Sequence, residues 1–195
     1  MKRVMGLLAG LALLSGCSGN FTVGEGPGGR PQCAPQPDGA DSTAVLIAQA
    51  VPTASLIPCV RTLPEGWTYE ALKASNGQAT FSLTSDRDGT KAATISLLPT
   101  CTITGATEVP SERSGTRRYE RVSRVSPGYQ GDRFYTFAGG CITYHFDLHG
   151  KSRGVPLASV TQALGFITRD TLREQVRNDS NNRLSLDPPV KRTSS

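Results

Sequence analysis

The chain has 195 residues, of which 21 are basic and 16 acidic, for a net charge of +5 at neutral pH. Without Lys2 and Arg3, which head an export signal, 19 basic residues stand against 16 acidic ones, an excess too small to indicate nucleic-acid binding. Length and charge therefore leave room for one domain and exclude nucleic acid as an expected partner.

The first residues have the pattern of an export signal. Lys2 and Arg3 precede an apolar run, residues 4–14, of the length expected for the apolar region of a secretory signal. A helix of this length covers roughly half of a ~30 Å hydrocarbon core, so it does not span a bilayer as a mature helix. The sequence predicts a signal peptide over residues 1–16.

Leu14, Ser15, Gly16 and Cys17 close this signal and resemble the lipobox of bacterial lipoproteins. The resemblance implies cleavage before Cys17, a diacylglyceryl group on its sulfur and a fatty acyl chain such as palmitate on its new amino group. Two or three acyl chains, at ~0.8 kcal/mol per buried CH₂, hold a soluble domain firmly. The expected location is the extracytoplasmic side of the cell membrane. An ordinary secretory signal cleaved elsewhere is the alternative.

Residues 17–41 are rich in Gly, Pro and polar side chains and cannot bury enough apolar surface to fold. This segment is predicted to be a lipid-anchored tether that reaches on the order of 25 to 30 Å. A single globular domain is predicted over residues 42–180, followed by a flexible tail over residues 181–195.

Once Cys17 is assigned to lipid, four cysteines remain, and an even number in an exported chain indicates two disulfides. Three pairings are possible, of which Cys33 with Cys59 and Cys101 with Cys141 is preferred. The first joins the tether to the start of the domain, and the second joins two predicted strands. Loops of about 26 and 40 residues are worth roughly 3.5 and 4 kcal/mol by chain entropy. The sequence has no CxxC motif or Cys/His ligand spacing, so neither zinc nor another cofactor is expected.

The domain is predicted to begin with a short helix. Asp41 or Ser42 is placed to cap it, and it ends near Pro52. The proline-punctuated stretch from Pro52 to Trp67 is predicted to be an irregular strap.

From Trp67 onward, apolar and polar residues alternate, as is typical of strands. Asn76-Gly77 and Asp88-Gly89 separate three strands of a predicted meander, because both dipeptides tolerate the positive φ of a hairpin turn. Pro127-Gly128 and Gly131-Asp132 mark a later turn region, and Gly139-Gly140 permits either a tight hairpin or a bulge in one long strand. Three further strands are predicted over residues 116–125, 133–138 and 141–148.

After Gly150 the apolar spacing becomes helical. Leu157, Val160, Leu164 and Ile167 lie three and four residues apart on one helix face. A capping box over residues 171–174, with Asp170 as a second possible cap, predicts another short helix. The expected fold is therefore α+β, an antiparallel sheet of about five or six strands with one or two C-terminal helices packed on one face.

His145, Asp147 and His149 are the sharpest candidates for a chemical site. Strand alternation places them on one face, and two histidines with a carboxylate are typical of a facial metal triad. Residues i and i+4 of a strand lie about 13 Å apart, however, and the nitrogens of two imidazoles on one metal lie roughly 3 Å apart. Only His145 and Asp147 could share an ion, and a polar solvent-facing strand is the simpler interpretation. We assign no metal ligand and no catalytic residue.

A run of arginines marks the strand predicted over residues 116–125. Unbroken alternation puts Arg117 and Arg121 on one face and Arg124 on the other. Arg117 and Arg121 would then be able to bind a phosphate or carboxylate bidentately. Anionic wall polymers and lipid headgroups are the expected ligands, and a solvated strand of mixed charge is the alternative.

The middle and C-terminal parts also resemble small actinobacterial envelope proteins of unassigned function, without a diagnostic motif. The sequence predicts a non-enzymatic, lipid-anchored binding or accessory module of the cell envelope. Its expected partners are membrane lipid, through acylated Cys17, and an anionic wall polymer or an envelope protein. A metal-dependent envelope hydrolase using His145 and Asp147 is the alternative function, and a structural spacer is the third.

Overall fold

The computed structural model describes residues 21–23, 29–34, 39–150 and 154–186. The predicted signal peptide, the predicted lipidation site Cys17 and residues 187–195 lie outside the described residues. None of the described helices is long and apolar enough to cross a membrane.

The described chain forms ten strands and three helices. In chain order these are β1 (Phe21–Val23), α1 (Ser42–Ala50), β2 (Leu56–Val60), β3 (Trp67–Ser75), β4 (Gln78–Ser85), β5 (Gly89–Leu98), β6 (Thr107–Val109), β7 (Arg117–Arg124), β8 (Tyr129–Phe137), β9 (Gly140–Leu148), α2 (Gly154–Ala163), β10 (Leu164–Thr168) and α3 (Arg169–Asp179).

Eight strands form one antiparallel sheet in the order β1-β3-β4-β5-β9-β8-β7-β6. β2 and β10 form a separate two-stranded antiparallel sheet. The predicted α+β class with an antiparallel sheet is confirmed. The six inner strands are the expected ones, and the sheet is larger because β1 and β6, of three residues each, extend its two edges.

One face of the main sheet is covered by the three helices and the small sheet. Ile47 of α1, Val160 of α2 and Leu172 of α3 belong to the same buried cluster as the sheet. The sheet contributes every second residue of its strands: Leu72, Phe81, Leu83, Ile95, Leu97, Ile142, Tyr144 and Phe146. We call this the covered face and its opposite the open face.

Two turns decide how the inner strands pair. Phe137 pairs with Gly140, so β8 and β9 form a tight hairpin rather than one bulged strand. Gly139 has φ +77° and leaves no room for a side chain, because a Cβ there would lie 1.8 Å from the carbonyl oxygen of Thr53. Gly131-Asp132, by contrast, lies inside β8 rather than in the predicted turn, since the turn between β7 and β8 is complete by Gly128.

The predicted C-terminal helix is wrong beyond Ala163. Residues from Leu164 to Thr168 form β10, in which Leu164 pairs with Val60. Branched Ile167 suits an extended chain, and β10 provides the ladder that β2 needs. Helical spacing alone did not reveal this change of structure.

The predicted cap of α1 is confirmed, whereas the predicted cap of α3 is wrong. Asp41 caps α1 as expected, accepting hydrogen bonds from the backbone N–H groups of Thr43 and Ala44 at 2.8 and 3.1 Å. α3 begins earlier than its predicted capping box, because the Thr168 hydroxyl accepts from the Thr171 N–H at 3.0 Å.

The stretch predicted to be an irregular strap contains β2. Pro58 lies in this strand and pairs with Phe166 of β10. A two-stranded sheet has only edge strands, so a residue without an N–H group is tolerated there. The prolines therefore indicated an edge rather than the absence of a strand.

Parts of the predicted tether and tail contact the domain. β1 pairs with β3, and Gln32 forms a parallel bridge with Val60. At the other end, Leu186 is buried in the main core. The folded unit therefore extends beyond residues 42–180 on both sides.

Both disulfides have the preferred pairing. Cys33–Cys59 attaches part of the predicted tether to β2. Cys101–Cys141 holds the segment after β5 against the open face, where the two cysteines pack with Tyr119 and Phe134.

Candidate functional site

The open face carries polar side chains in rows that cross the strands. The central row consists of Ser82, Thr94, His145, Asp132 and Arg121, which lie opposite one another on β4, β5, β9, β8 and β7. Directly opposed residues on one face have Cβ atoms about 4.5–5.5 Å apart, so each side chain is within reach of the next.

Asp132 is the acceptor at the centre of the charged part of this row. Its Oδ2 accepts from Arg121 Nη2 at 2.7 Å and Nε at 3.1 Å. Its Oδ1 lies 2.7 Å from His145 Nδ1, and that nitrogen must carry the proton because an ionised carboxylate only accepts. Arg121 also donates from Nη1 to the Thr104 carbonyl at 3.1 Å. Arg121 thus connects β7 to β8 and to the segment between β5 and β6, which contains Thr104.

Burial alone would raise the pKa of Asp132, whose side chain is only 13% exposed. Hydrogen bonds from His145 and Arg121, together with their charge, outweigh burial and lower the pKa below its ordinary value. Asp132 is therefore held in its ionised form.

A β-bulge brings Arg124 to the open face as well. The register shifts between Val122 and Arg124, so that Arg124 pairs with Gln130. Its Nη2 donates to Oδ1 of Asp147 at 2.8 Å, and His149 Nε2 lies 3.7 Å from the same oxygen. The expectation that Arg124 faces away from Arg121 is therefore wrong, because the extra residue of the bulge reverses the alternation.

His145 and Asp147 share the open face, as predicted, but they have different partners. His145 bonds Asp132 and Asp147 bonds Arg124. A guanidinium group beside Asp147 disfavours a metal cation there by charge repulsion. Within the described parts of the chain, no group of three or more His, Cys, Asp or Glu side chains could hold a metal ion.

Arg117 lies on the same face and is much more exposed than Arg121, with side-chain exposures of 67% and 36%. It binds Glu108 of β6 in a bidentate pair, with Nε at 2.9 Å from Oε1 and Nη2 at 2.7 Å from Oε2. The hydrogen bond from Arg117 lowers the pKa of Glu108. The guanidinium is thus oriented toward a planar anionic group.

Arg117 also lines a surface cleft of about 420 Å³ at the turn that leads into β7. The other lining residues are Gly115, Thr116, Thr136 and Phe137. The cleft therefore offers one cation, the Thr136 hydroxyl and one aromatic ring to a ligand, because the Thr116 hydroxyl donates to the Arg113 carbonyl at 2.8 Å.

The remaining arginines of the run, Arg113 and Arg118, have structural partners on the covered side of the sheet. Arg118 pairs with Glu112, which also accepts from the Tyr135 hydroxyl at 2.6 Å. Burial and this bond raise the pKa of Tyr135 to about 12. Arg113 donates from Nη2 to the Leu164 carbonyl at 2.7 Å, which anchors the loop before β7 to the start of β10.

A second cleft, of about 410 Å³, lies at the opposite end of the domain. Its lining includes Trp67 and three carboxylates, those of Glu65, Asp86 and Asp88, against the single arginine Arg87. This cleft carries excess negative charge, so an anionic ligand is expected at Arg117 rather than here.

The sequence predicted that Arg117 and Arg121 share one face. It did not indicate their partners, which are the carboxylates of Glu108 and Asp132 respectively. Asp132 belongs to a Gly-Asp pair, which is typical of turns, but it lies in β8. Glu108 belongs to a stretch predicted to be a loop, but it lies in the short strand β6. Alternating charge on neighbouring strands was the available signal, but strand register was needed to use it.

Comparison with known proteins gives no further guide to the site. No protein-family model matches the chain, and no curated protein or solved structure matches it.

Proposed function

We propose that this chain is a lipid-anchored binding module of the cell envelope that recognises an anionic ligand at Arg117. The observation that carries the proposal is the exposed bidentate pair of Arg117 with Glu108 beside a surface cleft. The pattern of residues 1–17 supports anchoring through Cys17 on the extracytoplasmic side of the membrane.

The Glu108 carboxylate occupies the position that a phosphate or carboxylate of a ligand would take. Arg117 presents two parallel N–H groups to it, which is the geometry that favours bidentate anion binding. An exposed ion pair contributes little net stability, so a ligand with several anionic groups can displace Glu108. Anionic wall polymers have this chemistry, since they repeat phosphate groups along one chain.

Arg117 and Arg121 have different roles in this proposal. Arg121 is bound to Asp132 and to the Thr104 carbonyl, so it holds the sheet together. Of these two arginines, only Arg117 combines high exposure with an adjoining cleft. The module is proposed to bind rather than to catalyse, because Asp132, Asp147 and Glu108 of the open face are each neutralised by an arginine.

The test compares three variants by titration calorimetry with inorganic phosphate and with poly(glycerol phosphate). Arg117→Gln is expected to weaken binding at least about 10-fold, since it removes charge-assisted hydrogen bonds. Glu108→Gln is expected to strengthen binding, because it removes the competing carboxylate. Arg177→Gln, which changes an exposed arginine of α3, is the control and should bind as the wild type does.

Equal affinity of the wild type and Arg117→Gln would refute recognition at this cleft, and so would weaker binding by Glu108→Gln. Anchoring is tested separately by the intact mass of the native protein, which should show acyl chains that the Cys17→Ser variant lacks.

A further inference from the structure

Strand β1 lies very close in sequence to the residue proposed to carry the lipid. Phe21, the first residue of β1, pairs with Ala74 of β3, and Thr22 pairs with Lys73. Only four residue steps separate Cys17 from Phe21. At up to about 3.6 Å per step, the covalent chain between them spans at most about 14 Å.

From this short connection we propose that the β1–β3 edge of the main sheet is the surface of the domain that apposes the bilayer. The inference rests on the proposed acylation of Cys17. A tether over residues 17–41 would allow the domain to move on the order of 25 to 30 Å from the lipid. Pairing of β1 with β3 shortens this connection to four residues and fixes which edge it holds.

The polar surface at this edge fits an aqueous membrane interface. Lys73, Asn76 and Gln78 are exposed around the turn from β3 to β4, close to the start of β1. Lys73 adds a positive charge that anionic headgroups attract. The edge thus presents polar groups to the headgroups, with Lys73 and Glu70 as the charged residues of β3.

The same orientation places the Arg117 cleft far from the anchoring membrane. β7 is the seventh strand counted from β1, and strands are spaced ~4.8 Å apart, so about 29 Å separate the two across the sheet. The headgroup region is only a few ångströms thick. The ligand at Arg117 would therefore be an anionic polymer of the envelope space rather than a lipid of the membrane that holds the protein.

The orientation can be measured with the acylated full-length protein in phosphatidylcholine vesicles that contain a headgroup-nitroxide lipid. Because Cys17 is acylated and the other four cysteines are paired, an introduced cysteine is the only free thiol. A fluorophore on Asn76→Cys, near β1, should be strongly quenched. The same fluorophore on Thr107→Cys, an exposed position of β6 at the opposite edge, should be quenched at least several-fold less.

A matched control breaks β1 without touching the anchor. Thr22→Pro with Val23→Pro removes two of the three N–H groups that β1 can offer to β3, leaving only that of Phe21. Among the described residues, the next attachment is then at Pro31 and Gln32, which contact Val60, so the connection lengthens and quenching at Asn76→Cys should fall toward that at Thr107→Cys. Hydrogen exchange of the β3 amides should rise in the same variant whether or not the chain is acylated.

The outcomes separate the two proposals. Equal quenching at both positions of the acylated protein would overturn the orientation, and so would quenching at Asn76→Cys that the proline variant leaves unchanged; neither result would affect the anchor. An intact mass without acyl chains would overturn anchoring and orientation together.

Discussion

Asp132 shows how one partly buried carboxylate organises the open face. Its two oxygens accept three hydrogen bonds, two from Arg121 on β7 and one from His145 on β9. The three residues lie on adjacent strands of one cross-strand row. If Asp132 lost its charge, the Arg121 guanidinium would lose its counter-ion, and Arg121 and His145 would lose charge-assisted hydrogen bonds.

Asp132→Asn is expected to lower the free energy of unfolding by about 1–3 kcal/mol near neutral pH. Folding lowers the pKa of Asp132, so its ionised form stabilises the folded state above the unfolded value of 3.8, and this contribution disappears as the pH falls through the folded pKa. The difference between variant and wild type should therefore shrink below about pH 3.8. Urea unfolding at several pH values measures it.

The control for this experiment is Asp170→Asn, on α3, where the carboxylate is 84% exposed. It should change stability by less than about 0.5 kcal/mol. A pH-independent difference for Asp132→Asn would contradict a role for the charge.

At the scale of elements, Arg169 joins the C-terminal end of α1 to the start of α3. The side chain is buried, with 2% exposure. Its guanidinium donates to the carbonyl oxygens of Ala54 and Val51 at 2.7 and 2.9 Å, and also to that of Ala48. A helix leaves its last carbonyls without intrahelical partners, and here an arginine from a distant helix supplies the donors.

Arg169→Met keeps much of the length of the side chain but removes every donor. It is expected to destabilise the fold by about 3 kcal/mol, because several buried carbonyls lose their partner. Thermal and urea unfolding measure the loss. Arg173→Met, one turn later on α3 and paired with exposed Asp170, should cost less than about 1 kcal/mol. Similar losses in the two variants would show that the donors of Arg169 contribute little.

At the scale of the whole molecule, the two disulfides attach outlying segments to the folded unit. Cys33–Cys59 closes a separation of 26 residues and Cys101–Cys141 one of 40. The second lies on the open face, where it holds a covering segment over Tyr119 and Phe134. It therefore constrains both the unfolded chain and the local packing of that face.

Replacing both Cys101 and Cys141 by serine should lower the free energy of unfolding by about 4 kcal/mol, since the unfolded chain regains the entropy of the closed loop. Amide protection should also fall in residues 101–106 of the folded protein. The paired variant Cys33→Ser with Cys59→Ser is the comparison, with an expected loss of about 3.5 kcal/mol. Unchanged stability in non-reducing urea titrations would mean that neither bond constrains the unfolded state.

Local patterns in the sequence were sufficient for much of the fold. Apolar alternation, interrupted by Asn76-Gly77, specifies the hairpin of β3 and β4, because side-chain period and turn conformation are properties of a few neighbouring residues. The cap of α1 at Asp41 was predictable for the same reason. The disulfide pairing followed from the positions of the cysteines relative to these elements.

Long-range pairing decided the rest. Leu164 to Thr168 has spacing that also fits a helix, and only the availability of β2 as a ladder partner makes it a strand. The side of Arg124 depends on a bulge opposite β8, and the partner of Arg121 depends on the register that brings Asp132 beside it. The composition of residues 17–41 predicted a tether, whereas residues 21–23 pair with β3 and form β1.

The sequence by itself determined the class of fold, the preferred cysteine pairing among three and the expectation of a lipid anchor, because each depends on residue type and spacing along the chain. Only the tertiary structure decided that Arg117 is more exposed than Arg121 and that β1 pairs with β3 at one edge of the sheet. Both depend on the register between strands that are distant in sequence, and a shift of one residue in that register would move every side chain to the other face.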